Sequence, residues 1–195
     1  MTVRLAVLVS GGGTTLQNFL DRIADGGLDA RLEVVVSSNS TAYALERARA
    51  AGIDTHVVRR RDFETQEAFS EAITKALESY EIDVVAGAGF LQRYIFPPRY
   101  EGRVLQVHPG LLPKYGGQGM YGLHVHEAVL AAGESESGCT VFIANHEYDR
   151  GPTLVEKRVP VLPDDTPEML AARVFVEECE AYPEAIRMLA AKLGL

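Results

Sequence analysis

The sequence predicts an α/β fold: an open, twisted, mostly parallel sheet with helices on both faces. Its C-terminal strands are expected to be partly antiparallel and to precede a long C-terminal helix. Three observations carry this. Short β-branched runs alternate with helical periods through residues 1–108, the rhythm of strand–helix–strand units with right-handed crossovers. The first run, Leu5-Ala6-Val7-Leu8-Val9, is apolar at every position, as a parallel strand covered on both faces must be. Past His108 the rhythm stops, and two strand-like runs are followed by one long helical stretch.

The elements follow in order. Gly11-Gly12-Gly13 breaks the first strand, and Thr14 or Thr15 is placed to cap the next helix. Leu16, Phe19, Leu20 and Ile23 mark that helix, and Gly26-Gly27 stops it. Residues 32–36 read as a second strand, 42–51 as a helix ended by Gly52, and 55–58 as a short third strand. Phe69, Ile73, Ala76 and Leu77 recur at helical spacing, and 82–86 and 103–107 are further strands, the last ending at His108-Pro109. A glycine-rich loop over 116–122 leads into a helix over 124–132. Residues 140–144 and 153–161 read as strands. Residues 166–189 read as mostly helical, with Pro167 near the start and Pro183 as a kink or break. No repeat, low-complexity tract or linker interrupts the pattern. Residues 1–195 are therefore expected to form a single domain: 1–108 its parallel half, 109–195 a loop, a hairpin and the C-terminal helix.

Composition narrows the function. Apolar residues make up 47% and charged residues 24%, ordinary globular usage that excludes intrinsic disorder. Lys and Arg number 19 against 27 Asp and Glu, a net charge of −8. A nucleic-acid partner would call for a basic face, so none is expected, although a single loop of backbone N–H groups can still hold a small anion. The two cysteines, Cys139 and Cys179, are too few for a disulfide framework and suit a reduced cytoplasmic protein. The N-terminal residues carry one charge and a short apolar run before the Ser-Gly-Gly-Gly turn, which reads as a strand and not a signal peptide. No run approaches the roughly 18 apolar residues of a membrane span.

Three segments bring polar groups to strand ends, where sites form in such sheets. The first is Ser10-Gly11-Gly12-Gly13-Thr14-Thr15-Leu16-Gln17. Its glycines allow close backbone approach, and the helix start offers N–H groups to a phosphate; a tight turn with a threonine cap and no ligand fits the same residues. The spacing matches neither G-x-G-x-x-G nor a P-loop, so nucleoside triphosphate binding is not expected. In the second segment, Gln106 and His108 share one strand face. The imidazole can serve as a general acid and the amide can donate to a developing oxyanion. Alternatively, a backbone carbonyl simply satisfies the histidine. The third is Asn145-His146-Glu147-Tyr148-Asp149-Arg150-Gly151-Pro152. Asp149 folded back toward His108 would orient the ring and hold it cationic. Taken alone, the segment fits a solvated hairpin turn better.

Other features read as structure. His124 and His126 stand two apart on a helix and do not share a face, and no further ligand has metal spacing, so no metal is expected. Arg59-Arg60-Arg61 fits a solvated basic cluster better than an anchor for an anionic ligand. Cys179 lacks a nearby base for a nucleophilic role. Phe90-Leu91 and Tyr94-Ile95-Phe96-Pro97-Pro98 suit a pocket wall and a core equally.

Together these elements resemble the glycinamide ribonucleotide formyltransferases, a folate-dependent family of purine synthesis. The likeness runs through nearly the whole chain: Ser10-Gly11 to Leu16-Gln17, Leu45-Glu46-Arg47-Ala48, Asp83-Val84-Val85, Ala88-Gly89-Phe90-Leu91, His108-Pro109, Leu111-Leu112-Pro113-Lys114-Tyr115, His126, Asp149 with Gly151-Pro152, and Glu178 before Tyr182-Pro183. The resemblance implies a formyltransferase-like fold with a Rossmann-type N-terminal half. It implies transfer of the formyl group of 10-formyltetrahydrofolate, the co-substrate, to the amine of glycinamide ribonucleotide through a tetrahedral intermediate. By the same resemblance His108, Asp149 and Gln106 are catalytic, Gly13, Thr14 and Thr15 hold the substrate phosphate, and Glu178 binds its ribose. Phe90, Leu91, Gln92, Leu105, Asn145 and Tyr148 face the folate. The implied partners are these small molecules alone, without nucleic acid or membrane, and the implied assembly is a monomer or homodimer.

The chain departs from the family pattern around the site. Gln106 stands where Asn is usual, Gly110 for Ser, Phe142 for His, and Thr15 for a frequent Asn. Gln66 and Gln92 stand where some members carry Arg. An oxyanion donor must sit about 2.7–3.1 Å from its target, and losing one costs about 10²–10³ in rate. Two rivals therefore accompany the main reading: a folate- or nucleotide-binding homologue weakened in catalysis by Gln106 and Phe142, and a related formyl-folate transferase or hydrolase.

Overall fold

A computed structural model describes residues 2–195. In chain order its elements are β1 (Val3–Val9), α1 (Thr14–Ala24), β2 (Ala30–Ser37), α2 (Tyr43–Ala50), β3 (Asp54–Val57), α3 (Gln66–Leu77), β4 (Val84–Gly87), β5 (Val104–His108), α4 (Leu123–Ala131), β6 (Glu136–Ile143), β7 (Thr153–Pro160) and α5 (Pro167–Leu193). Short 3-10 turns lie at Arg60–Asp62 and Pro98–Tyr100. The strands form a mixed, mostly parallel sheet in the order β3-β2-β1-β4-β5-β6-β7, the expected fold class. The chain divides into two compact units, one reaching to Leu105 and including Leu189–Leu195, the other spanning Gln106–Met188.

In the first unit β1 pairs in parallel with β2 on one side, Val3 opposite Ala30, and with β4 on the other, Leu5 opposite Val84. Strand order thus reverses beside β1, and the carboxyl end of β1 lies at a switch point, the usual place for a ligand. The apolar run predicted for β1 is covered as expected, with Leu5, Ala6, Val7 and Val9 fully buried. At the opposite end Arg4 clamps Asp83, its Nε donating to Oδ2 at 2.9 Å and its Nη2 to Oδ1 at 2.7 Å. The guanidinium holds the Asp83 carboxyl below the usual carboxylate range. α3 buries Phe69, Ile73 and Leu77, and Phe69 stacks on Phe90 with ring centroids 6.5 Å apart.

In the second unit β6 and β7 are antiparallel, from Glu136 opposite Pro160 to Phe142 opposite Thr153. β6 begins four residues before the expected run. Glu-Ser-Gly-Cys has no β-branched residue to announce a strand, yet the β7 ladder and the approach of the Lys157 carbonyl to Gly138, too close for any side chain, hold it there. Pro160 takes an end position on β7, the last strand of the sheet, where a missing N–H is tolerated.

Two expectations are corrected. Neither Thr14 nor Thr15 caps α1: the cap residue is Gly13, in the left-handed region at φ 74°, and no side chain bonds the helix start. Nor does Pro183 break the C-terminal helix, for α5 runs unbroken past it. The lost backbone hydrogen bond is offset by packing: Ala181, Tyr182, Ala185 and Ile186 around it are all fully buried. Because Phe69 is fully buried in an aromatic stack, Phe69→Ala is expected to destabilise the protein by about 3–5 kcal/mol, read as a fall in the urea midpoint with little change in slope.

Candidate active site

The glycine turn after β1 has no room for a side chain at its last position. Gly13 adopts φ +74°, and a Cβ there would lie 2.6 Å from the Ala44 Cβ, so only glycine fits. The turn is pinned from behind: the Ala44 N–H donates to the Gly11 carbonyl at 3.1 Å, and Arg47 Nε donates to the Gly12 carbonyl at 3.0 Å. Arg47 Nη1 also donates to Gln17 Oε1 at 2.7 Å. The start of α1 carries no side-chain cap and no acidic residue in its first turn, whereas Thr65 Oγ1 accepts the Ala68 N–H at 3.1 Å to cap α3. The first N–H groups of α1, from Thr14 and the buried Thr15, therefore have no side-chain cap, and such a helix start, at the positive end of the helix dipole, is one that can accept an anion.

Beside this turn the Leu91 N–H donates to Ser10 Oγ at 3.0 Å, and Ser10 Oγ meets Ser38 Oγ at 2.7 Å. That contact brings the 90–92 segment to the end of β1. Leu91 is 54% exposed, while Leu105 shows no surface at all and belongs to the core. Phe90 and Gln92 are half-buried. Gln66 sits among arginines: it accepts from Arg60 Nε at 3.1 Å, and its amide donates to the Arg93 carbonyl.

In the second unit the chain folds Asp149 back onto His108, with Asp149 Oδ2 3.8 Å from His108 Nδ1. The carboxylate is fixed by accepting the Gly117 N–H at 2.8 Å, and Asp149 itself takes φ 52°, a conformation unusual for a non-glycine residue. His108 Nε2 lies 2.6 Å from the Tyr115 carbonyl oxygen. A carbonyl can only accept, so Nε2 carries the proton and donates, and Nδ1 is the nitrogen that can take up or release one. A backbone carbonyl satisfies the histidine, as one reading of the sequence expected, and Asp149 does fold back toward the ring, but the expectation that it holds the ring cationic is corrected, because the proton affinity is lowered. Burial pushes the imidazole below its ordinary value, against the upward pull of Asp149 and of the Tyr115 carbonyl.

His126 is also buried, its Nδ1 without a hydrogen-bond partner, and burial and His108 both push it down. Gln106 is half-buried on the same strand as His108. Asn145 turns inward on itself, its Oδ1 accepting the Glu147 N–H at 2.8 Å, and Tyr148 is 46% exposed. Glu178 is buried within α5, and desolvation pushes its carboxyl up to about 7. Among the described residues no three His, Cys, Asp or Glu side chains are grouped to hold a metal ion. Likewise no helix among them is long and apolar enough to cross a membrane.

The sequence gives no sign of the parts played by Tyr115 and Gly117, because both act through the backbone, which leaves no residue signature. Gly110, by contrast, explains itself. A Cβ there would lie 2.8 Å from Val125 Cγ1 and 3.2 Å from His108 Cδ2 and Nε2. The ring packs directly on the glycine.

The formyl transferase family description matches residues 3–186, a span holding the glycine turn, Gln106, His108, Asp149 and Glu178. The chain belongs to the formyl transferase family. Within it the chain is 36% identical over 190 residues to the phosphoribosylglycinamide formyltransferase of Escherichia coli, covering 96% of this chain and 87% of that one. It is 38% identical over 190 residues to the trifunctional purine biosynthetic protein adenosine-3 of Drosophila melanogaster, covering 95% of this chain but 14% of that much longer protein. Among solved structures, glycinamide ribonucleotide transformylase 1 from Symbiobacterium toebii superposes with a TM-score of 0.89 at 37% identity, covering 98% of this chain and 89% of that one.

Two outcomes follow from this geometry in a formyl transferase. Gly110→Ser is expected to cost about 1–3 kcal/mol by overpacking against Val125 and the imidazole, measured by denaturant unfolding. Glu178 keeps its proton in the folded chain up to about pH 7 but loses it near the ordinary carboxylate value when unfolded. Its contribution therefore weakens stability as pH rises from about 4.5 through 7. Glu178→Gln should raise the melting temperature at pH 8 and leave it little changed at pH 4.

Proposed function

We propose that the chain transfers the formyl group of 10-formyltetrahydrofolate to the amine of glycinamide ribonucleotide, a step of purine biosynthesis, with residues 1–195 acting as one domain in the cytoplasm. The observation that carries this reading is the buried His108–Asp149 couple at 3.8 Å in a formyl transferase chain. That couple sits beside a strand that also bears Gln106. Relatives that the chain spans at 85–87% of their length bear the name phosphoribosylglycinamide formyltransferase. An uncapped glycine turn fits the phosphate of a ribonucleotide, with Gly13, Thr14 and Thr15 supplying backbone N–H groups. Glu178 serves the ribose hydroxyls. Phe90, Leu91, Gln92, Asn145 and Tyr148 are assigned to the folate, whereas Leu105 is buried core.

In this reading the amine nitrogen forms a bond to the formyl carbon and the carbonyl oxygen becomes an oxyanion. The proton leaving the amine passes to His108 Nδ1. The imidazolium so formed, beside the Asp149 carboxylate, stabilises the oxyanion together with the Gln106 amide. Collapse breaks the bond between the formyl carbon and N10 of the folate, and the proton moves to N10. The low proton affinity that burial gives His108 keeps Nδ1 free to accept at neutral pH and quick to release afterwards.

A second reading, a binding homologue that has lost transfer, draws on Gln106, one methylene longer than the usual asparagine. Incubation with the formyl folate and glycinamide ribonucleotide separates the two, following the deformylated folate by absorbance and the product by mass. Turnover is expected, and His108→Ala should lower kcat by roughly 10²–10⁴-fold. Ligand binding without turnover supports the second reading, and folate product without formylated acceptor indicates hydrolysis. Gln106→Asn is expected to raise kcat by bringing a shorter donor onto the oxyanion position. A lower rate would mean that β5 has already adjusted to glutamine.

A further inference from the structure

The loop that follows His108 is tied down at three places in the second unit. Thr140 Oγ1 donates to the Gly110 carbonyl at 2.8 Å and accepts the Leu112 N–H at 3.2 Å. Asp149 accepts the Gly117 N–H. Between them stands a third tie at the surface: Tyr115 OH donates to Glu134 Oε1 at 2.7 Å, and the Lys114 ammonium pairs with the same oxygen. Lys114 Nζ also lies 5.5 Å from the Tyr115 ring centroid. Glu134 sits in the turn between α4 and β6 with its side chain 28% exposed. Lys114 and the Tyr115 hydroxyl hold its carboxyl below the usual range.

We propose that Glu134 is a positioning residue for the formyl transfer, fixing Tyr115 so that its backbone carbonyl holds His108 Nε2–H and leaves Nδ1 as the nitrogen that takes up and releases a proton beside Asp149. The inference rests on the function proposed above for its kinetic consequence, but its structural link stands apart from it. The chain of contacts is continuous: carboxylate to phenol, phenol to its own backbone, and carbonyl to imidazole at 2.6 Å. Orientation of a catalytic imidazole by an acceptor on its other nitrogen is how such a ring is kept in one tautomer and one rotamer. The ties at residues 110, 112 and 117 do not touch Tyr115 itself, whose backbone is otherwise held only by two long turn bonds, the Tyr115 N–H to the Leu111 carbonyl at 3.5 Å and the Gly116 N–H to the Pro113 carbonyl at 3.4 Å. The groups facing the ring are Asp149 from the turn after β6 and His126 from α4, and neither reaches Nε2.

The test compares Glu134→Ala and Tyr115→Phe, which cut the tie, with Glu134→Gln, which keeps an acceptor for the phenol. Two quantities are read: steady-state kinetics, and the downfield proton resonance of the His108 Nε2–H, assigned by its absence in His108→Ala. In the wild type and in Glu134→Gln that resonance should be visible, sheltered from solvent exchange. In Glu134→Ala and Tyr115→Phe it should broaden or vanish, and kcat should fall roughly tenfold with KM for both substrates little changed. Retained melting temperatures would show that the fold survives. An unchanged resonance in Glu134→Ala overturns the proposal, as does an unchanged kcat in an enzyme that turns over. If the wild type transfers no formyl group while its resonance is present and lost in Glu134→Ala, the function reading fails and the positioning link stands.

Discussion

A buried imidazole must find partners for two nitrogens, and the partners it finds decide what it can do. His108 is 4% exposed. One nitrogen gives its proton to the Tyr115 carbonyl at 2.6 Å, and the other faces Asp149 at 3.8 Å. Had both faced carbonyls, the ring would be forced cationic; had both faced apolar side chains, it would be inert. The mixed arrangement leaves a ring that is neutral at rest and stabilised once charged. Every other feature of the second unit near it follows: the glycine beneath the ring, the strained backbone at Asp149, and the strapped loop from 110 to 117.

In the function proposed, the glycine turn meets a phosphate with the same economy of side chains. A phosphate needs several donors converging on one point, and a helix start supplies them only if nothing of the protein's own occupies them. Here the threonines that would ordinarily cap the helix sit inside it, and the packing of Ala44 against Gly13 enforces the left-handed residue that puts them there. Arg47 and Ala44 hold the turn's carbonyls from the far side, so the donors face outward without competition.

Much of this was legible in the residues. The apolar run of β1, the glycine breaks and the helical periods at Leu16, Phe19, Phe69 and Ile73 lie where burial and spacing put them. The pair His108 and Asp149 could be named because a histidine at a strand end and an aspartate in a polar turn are side-chain signals. What stayed hidden has a common cause. The early start of β6, the continuity of α5 through Pro183 and the grip of Tyr115 on His108 all depend on backbone groups or on distant packing. A local reading of residue types sees neither. The cap of α1 was misread for the opposite reason: threonine is so good a cap that its refusal is visible only once Gly13 is seen to take the position.

Gly110 has no room for a Cβ, which would meet both the His108 ring and Val125 Cγ1. That crowding couples three positions into one unit of inheritance. Serine at 110 and valine at 125 therefore fit poorly together on this backbone, and a change at either position is felt at the other. A smaller residue at 125 would make the room that serine at 110 needs, so the two exchanges belong together as a compensating pair.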